Sequence, residues 1–184
     1  MKKRLFIAIN IPEKIKDRIE GKIVSLREIS RGEKKIRRSF QNDIRFLDRS
    51  NWHITITFLG YQEDLALAPI VKSMKSAAEN FSAPEIEFTD ISYGPKDGPK
   101  RMIWLNGSEK TADQLAGIKN TLEDSLIDNG VRFKQEHRKM RVHVTLARFQ
   151  PTRDLPEMRI STDQNVNNIS VNLRSNPRKS AYKP

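Results

Sequence analysis

Two tripeptides of one kind hold the residues that could do chemistry. His53-Ile54-Thr55 lies in the run Asn51-Trp52-His53-Ile54-Thr55-Ile56-Thr57-Phe58, and His143-Val144-Thr145 lies in Val142-His143-Val144-Thr145-Leu146-Ala147-Arg148-Phe149. The chain has three histidines, and two of them head these copies. In an extended strand, residues two apart point to the same face. Each copy therefore sets an imidazole beside a hydroxyl, with apolar neighbours turned the other way. An imidazole titrates near neutrality and serves as acid or base. Two of them on opposite sides of a phosphate can divide one displacement: one takes a proton from the attacking oxygen, the other gives one to the leaving oxygen. The hydroxyls of Thr55 and Thr145 can hydrogen-bond the phosphate oxygens. None of this needs a metal.

Arg148 follows the second motif and could add a bidentate charge to the same oxygens. Strict alternation puts it on the face opposite His143 and Thr145, so only a bulge or a strand end would bring it in. His137 sits in the charged run Gln135-Glu136-His137-Arg138-Lys139 and reads as a surface histidine. A zinc site on His53 and His143 would lack further ligands, because there is no HExxH and no cysteine. No metal is expected. Trp52, Phe58 and Phe149 flank the motifs and read as core, whereas Tyr93 and Phe40 lie in more polar surroundings where base stacking is conceivable.

These strands need a frame. Arg4 to Ile11 reads as a first strand. Pro12 opens a helix with Ile15, Ile19, Ile23 and Leu26 at helical spacing. Residues 31–38 read as a basic loop and Ile44 to Leu47 as a short apolar piece. Trp52 to Leu59 is a strand stopped by Gly60. Leu65, Leu67, Ile70, Val71, Met74 and Ala78 mark the apolar face of a second helix. Glu85 to Ile91 and Met102 to Leu105 form a hairpin about Gly94–Pro99. A third helix spans Thr111 to Asp128 with Leu115, Ile118, Leu122 and Leu126 inward, ended by Asn129-Gly130. A basic connector, Arg132 to Arg141, leads into the second motif strand. Ile160 and Ile169–Leu173 form a last strand, and the basic tail from Arg174 is expected to be mobile. The motif strands each close a strand–helix half. The expected fold is thus α+β: one domain over 1–184, bilobal and pseudo-duplicated, with two antiparallel sheets lining a central cleft and helices outside.

Composition narrows the partners. Among 184 residues there are 34 Lys and Arg against 23 Asp and Glu, a net charge of +11, and no cysteine. Excess positive charge favours polyanions such as RNA. No stretch is long and apolar enough to span a membrane, and the short apolar run after Met1-Lys2-Lys3-Arg4 is too brief for a leader. A cytoplasmic monomer is the simplest expectation. The stretches Lys34-Lys35-Ile36-Arg37-Arg38 and Arg138-Lys139-Met140-Arg141 would form an RNA funnel if both border the cleft.

The chain resembles the RNA 2',3'-cyclic phosphodiesterases, also called the 2'-5' RNA ligase family, within the two-histidine (2H) phosphoesterases. Arg4–Ile9 is similar to that family's first strand, Asn51–Gly60 to its first signature, Met102–Leu105 to a strand between the signatures, and His143–Arg148 to its second signature. The resemblance implies a bilobal fold with the histidines facing across a cleft, and no cofactor. It implies metal-independent hydrolysis of a 2',3'-cyclic phosphate at an RNA end (tRNA fragments among the candidates) to a 2'-phosphate, with 2'-5' ligation as the reverse reaction. By resemblance His53 is the proton donor to the leaving 3'-oxygen, and His143 is the proton acceptor that activates water. Thr55 and Thr145 hold the phosphate and Arg148 assists. Val142 stands where such proteins often have proline, residues 31–42 are longer and more basic than usual, and the last strand is poor in apolar residues. Two other functions compete: a phosphodiesterase on 2'-5' linked oligonucleotides or another cyclic nucleotide, and a non-catalytic RNA-binding module.

Overall fold

The computed structural model describes residues 1–32, 44–152, 159–161 and 169–170. The element order is β1 (Lys2–Asn10), α1 (Glu13–Gly32), β2 (Arg45–Phe46), β3 (His53–Glu63), α2 (Leu67–Glu79), β4 (Glu85–Ile86), β5 (Phe88–Gly94), β6 (Lys100–Gly107), α3 (Glu109–Asp128), β7 (His143–Thr152), β8 (Arg159–Ser161) and β9 (Ile169–Ser170). The expectations for the basic stretch 34–38, for Phe40 and for the tail from Arg174 fall outside the described residues.

The fold is α+β with an antiparallel sheet and, among the described residues, three helices. Seven strands make one sheet in the order β1-β3-β7-β6-β5-β8, with β2 added against β7, and β4 pairs with β9 separately. The two motif strands therefore belong to one sheet, not to two sheets facing each other. They meet at a single registered pair, Ile54 opposite Val144. On one side β3 pairs with β1, and on the other β7 pairs with β6, along most of their lengths.

Local chemistry explains the elements. The carbonyl of Pro12 accepts from the amides of Ile15 and Lys16, starting α1, whose Ile15, Ile19 and Ile23 are buried. Ser108 caps α3 by accepting from the Thr111 amide, and Leu115, Leu122 and Leu126 point into the core. Gly130 ends that turn at φ +77°, a conformation glycine adopts without strain.

Other expectations change as well: Ile160 and Ile169 do not share a last strand but lie in β8 against β5 and in β9 against β4. Gly60 does not stop β3; at φ +69° it forms part of a bulge, and the strand runs on to Glu63. In α2 the buried face is Ile70, Ser73 and Ala77, while Leu67, Val71 and Met74 stay exposed, as does Leu65 in the turn before the helix. Hydrogen bonding decides that orientation. Ser73 Oγ donates to the Ser125 carbonyl at 2.9 Å and accepts from Asn129 Nδ2 at 3.1 Å, turning the small side of α2 against α3.

Candidate active site

The Ile54–Val144 pair places the chemistry. Both side chains are fully buried, so the residues flanking them face the other way. Counting outward along antiparallel strands sets His53 across from Thr145, and Thr55 across from His143. All four are half-buried and share one face of one sheet.

Each imidazole is held alike. His53 Nδ1 lies 2.6 Å from the Asn51 carbonyl, and His143 Nδ1 lies 3.2 Å from that of Arg141. A carbonyl only accepts, so Nδ1 carries the proton in each contact and Nε2 is left for substrate. Each ring also rests on an aromatic from the neighbouring strand. Phe6 of β1 stacks on His53 with centroids 4.9 Å apart, and Trp104 of β6 stacks on His143 at 4.0 Å. The registers match too: Asn10 stands opposite His53, and Asn106 opposite His143.

Burial holds the His143 imidazole below its usual pKa, with smaller contributions in the same direction from His53 and Arg138; its bond to the Arg141 carbonyl acts the other way. His143 therefore stays neutral near pH 7, as a proton acceptor must.

Arg148 is brought to the site face by a bulge. Trp104 pairs with Thr145 but Ile103 pairs with Ala147, so Leu146 is the extra residue. Leu146 and Ala147 are both buried and the alternation slips by one. Arg148, exposed and opposite Met102, then shares the face of Thr145. The first motif repeats this device. Ile7 pairs with Thr57 and Ala8 with Thr55, leaving Ile56 over, and Phe58 emerges half-exposed on the site face. Phe58 thus occupies the position matching Arg148 and is not core. Trp52 is buried as expected, and Tyr93 is buried with its ring edge-on to Phe149.

The elements around the motifs hold them in place. Arg49, in the turn just before His53, reaches Glu13, Asp17 and Glu20 along one side of α1 at 2.7–2.9 Å. Thr57 donates to the buried carboxylate of Glu123, which also receives Lys119 Nζ at 2.8 Å. Lys119 in turn donates to the Glu136 carbonyl, 3.2 Å away, in the connector that leads to His143. A cavity of ≈ 210 Å³ opens here, lined by Thr55, Phe58, Trp104 and His143 on one side and by Lys119 and Arg138 on the other.

Sequence reasoning missed Phe6, Trp104 and the Thr57–Glu123–Lys119 chain as parts of the site. The one available signal was a tryptophan inside a hairpin strand. Among the described residues, no cluster of three or more His, Asp or Glu could hold a metal ion, and no helix is long and apolar enough to cross a membrane.

Comparison with known proteins bears on the family and the fold. Residues 25–104 match the family model for LigT-like phosphoesterases. A curated protein of Aeropyrum pernix, named RNA 2',3'-cyclic phosphodiesterase, is 30% identical over 112 residues, 61% of this chain and 61% of that one. The match thus spans less than two thirds of that relative. A protein of the same name from Archaeoglobus fulgidus is 23% identical over 147 residues, 80% of this chain and 73% of the relative. Among solved structures, one from Thermus thermophilus superposes with a TM-score of 0.58 at 22% identity, covering 87% of this chain and 82% of that one. E. coli LigT in its apo form gives 0.55 at 20% identity, covering 88% and 80%, and shares the fold. With two His-x-Thr strands joined in one sheet and a family match across the first, the chain is similar to the LigT-like phosphoesterases.

Proposed function

We propose that the protein hydrolyses RNA 2',3'-cyclic phosphate ends to 2'-phosphates by a two-histidine mechanism without a metal. The observation that carries this reading is the common mounting of His53 and His143 on one sheet face, each Nδ1 tied to a backbone carbonyl. The names of the two curated relatives support the substrate class.

In this mechanism His143 Nε2 takes a proton from water as the water oxygen attacks phosphorus. The bond from phosphorus to the 3'-oxygen breaks, and His53, protonated at Nε2, supplies the proton that the 3'-oxygen needs. The 2'-ester remains. Thr55 and Thr145 donate hydroxyl hydrogens to the non-bridging oxygens, and Arg148 offsets their developing charge. The low proton affinity of His143 supports giving it the acceptor role. With an RNA 5'-hydroxyl in place of water as the nucleophile, the same forward step would join ends through a 2'-5' linkage, the 3'-oxygen again leaving with the proton from His53.

The architecture is read as bilobal and pseudo-duplicated. The matched pairs Asn10–His53 and Asn106–His143, and the matched bulges at Ile56 and Leu146, support this. The protein acts as a cytoplasmic monomer in RNA processing, with tRNA fragments among its substrates; the net charge of +11 favours such a partner.

The test is incubation, in metal-free buffer, with a short RNA ending in a 2',3'-cyclic phosphate, beside the double variant His53→Ala/His143→Ala. Mass and phosphatase sensitivity identify the end group. A 2'-phosphate from the unmodified protein alone is the expected result. A 3'-phosphate would reverse the assignment of the leaving oxygen, and no product would refute hydrolysis.

A further inference from the structure

A second space adjoins the cavity lined by Thr55 and His143. It lies between α3 and the connector before β7, with a volume of ≈ 500 Å³, in the range that takes a nucleotide-sized ligand. The two cavities share Lys119, Glu136, Arg138, Lys139 and Met140. Charge is distributed unevenly across them. Every Lys and Arg that lines the second space also lines the first, so the cations stand at the junction. Beyond the junction the lining is Ala116, Asn120, Glu123, Asp124, Gln135 and His137, with no Lys or Arg. Amide, carboxylate and imidazole groups fit the edge of a neutral base; a line of cations fits a phosphodiester.

The junction cations can be recruited. Arg138 pairs with Glu136 at 2.8 Å and Lys139 with Glu109 at 3.4 Å, but both side chains are largely exposed. Exposed pairs of this kind contribute little and exchange readily for a phosphate. Lys119 is different. Its ammonium is nearly buried and fixed by the Glu123 carboxylate and the Glu136 carbonyl, which use two of its three hydrogens.

We propose that this space is a subsite for the second nucleotide of the RNA end. Resting on the hydrolase reading, the cyclic phosphate of the last nucleotide lies between the two histidines. Its 5'-phosphate lies at the Lys119–Arg138–Lys139 junction, and the preceding base enters the polar space beside Asn120 and Gln135. The enzyme is thereby selective for the end of an RNA strand over a free cyclic mononucleotide.

The experiment compares kcat/KM for a 2',3'-cyclic mononucleotide with that for a dinucleotide ending in the same cyclic phosphate. The dinucleotide should be preferred by about tenfold or more, the discrimination one well-made set of base contacts supplies. Asn120→Ala, an exposed helix position, and Arg138→Ala should each lower that preference severalfold; because the readout is a ratio, partial loss of folded protein does not move it. Equal rates for the two substrates, or a ratio unchanged in both variants, would overturn the subsite. If neither substrate is cleaved, the hydrolase reading fails instead. Binding of the dinucleotide and mononucleotide 2'-phosphates then reads the subsite alone, and equal affinities would overturn it too.

Discussion

The indole of Trp104 lies over the imidazole of His143, with ring centroids 4.0 Å apart and planes inclined by 25°. The indole covers one face of the ring proposed as proton acceptor, and burial is the largest cause of that ring's lowered pKa. The sign is direct. Protonated His143 cannot act as base, so activity is lost as pH falls through its pKa, and that limb of kcat/KM lies below pH 6.5. Trp104→Leu should let water in and move the limb to higher pH. A limb that stays in place in this variant would remove the stack as its cause.

Gly94 guards the same stack from behind. A Cβ built on it would stand 2.3–2.5 Å from the Trp104 ring, closer than atoms can approach. Gly94→Ala should push the indole off its position and lower kcat/KM by about 10- to 100-fold, the scale of small misplacements in a site. Circular dichroism and kinetics together check this: lost rate with an intact fold is expected, and full activity would mean the ring's placement is not critical.

Single substitutions of the motif residues should separate acid–base work from binding. His53→Ala or His143→Ala should lower turnover by about 10²- to 10⁴-fold while RNA retention on a gel persists. Thr55→Val or Thr145→Val should each raise the barrier by about 1.5–3 kcal/mol, the range for hydrogen bonds to a charged group. Near-normal rates in either histidine variant would sink the mechanism.

Glu123 joins α3 to the first motif strand. Its side chain is 5% exposed and Lys119 is 13% exposed, so Glu123→Ala leaves a nearly buried ammonium without its partner. The expected loss is about 3–5 kcal/mol of stability. The double change Glu123→Leu/Lys119→Met should recover most of it, because two apolar side chains can replace a buried pair at little cost. Thermal melts of the three proteins decide the matter; a double variant no better than the single would locate the loss elsewhere, for instance in the Thr57 hydroxyl.

Chelation offers another check. Prior treatment with EDTA should leave the rate on a cyclic phosphate substrate unchanged, since the proposed mechanism uses imidazoles alone as acid and base. A rate that falls with EDTA and returns with one divalent ion would favour a metal-assisted displacement.

Period-two spacing made the shared face of each histidine and threonine legible, because only the local strand conformation was needed. Helix α3 was legible for a similar reason: Leu115, Leu122 and Leu126 recur on one side and are buried. Arg148 was not, because its side depends on the extra residue Leu146, and an apolar pair such as Leu146-Ala147 carries no mark of a bulge. The inner face of α2 was misread because Leu65, Leu67, Val71 and Met74 outweigh Ser73 on any hydrophobic count. Ser73 prevails through its contacts with Ser125 and Asn129, more than fifty residues away. The Thr57–Glu123–Lys119 chain was hidden by the same distance along the sequence.

Among the described residues, β3 and β7 are registered only at Ile54 and Val144. A ladder of many rungs resists rotation of one strand against the other; a single rung is a pivot. Swinging the two halves of the sheet about that point would alter the angle at which the imidazoles present themselves far more than their separation, because each histidine is the immediate neighbour of a pivot residue. In the proposed mechanism such a tilt would turn acid against base with little change in their separation.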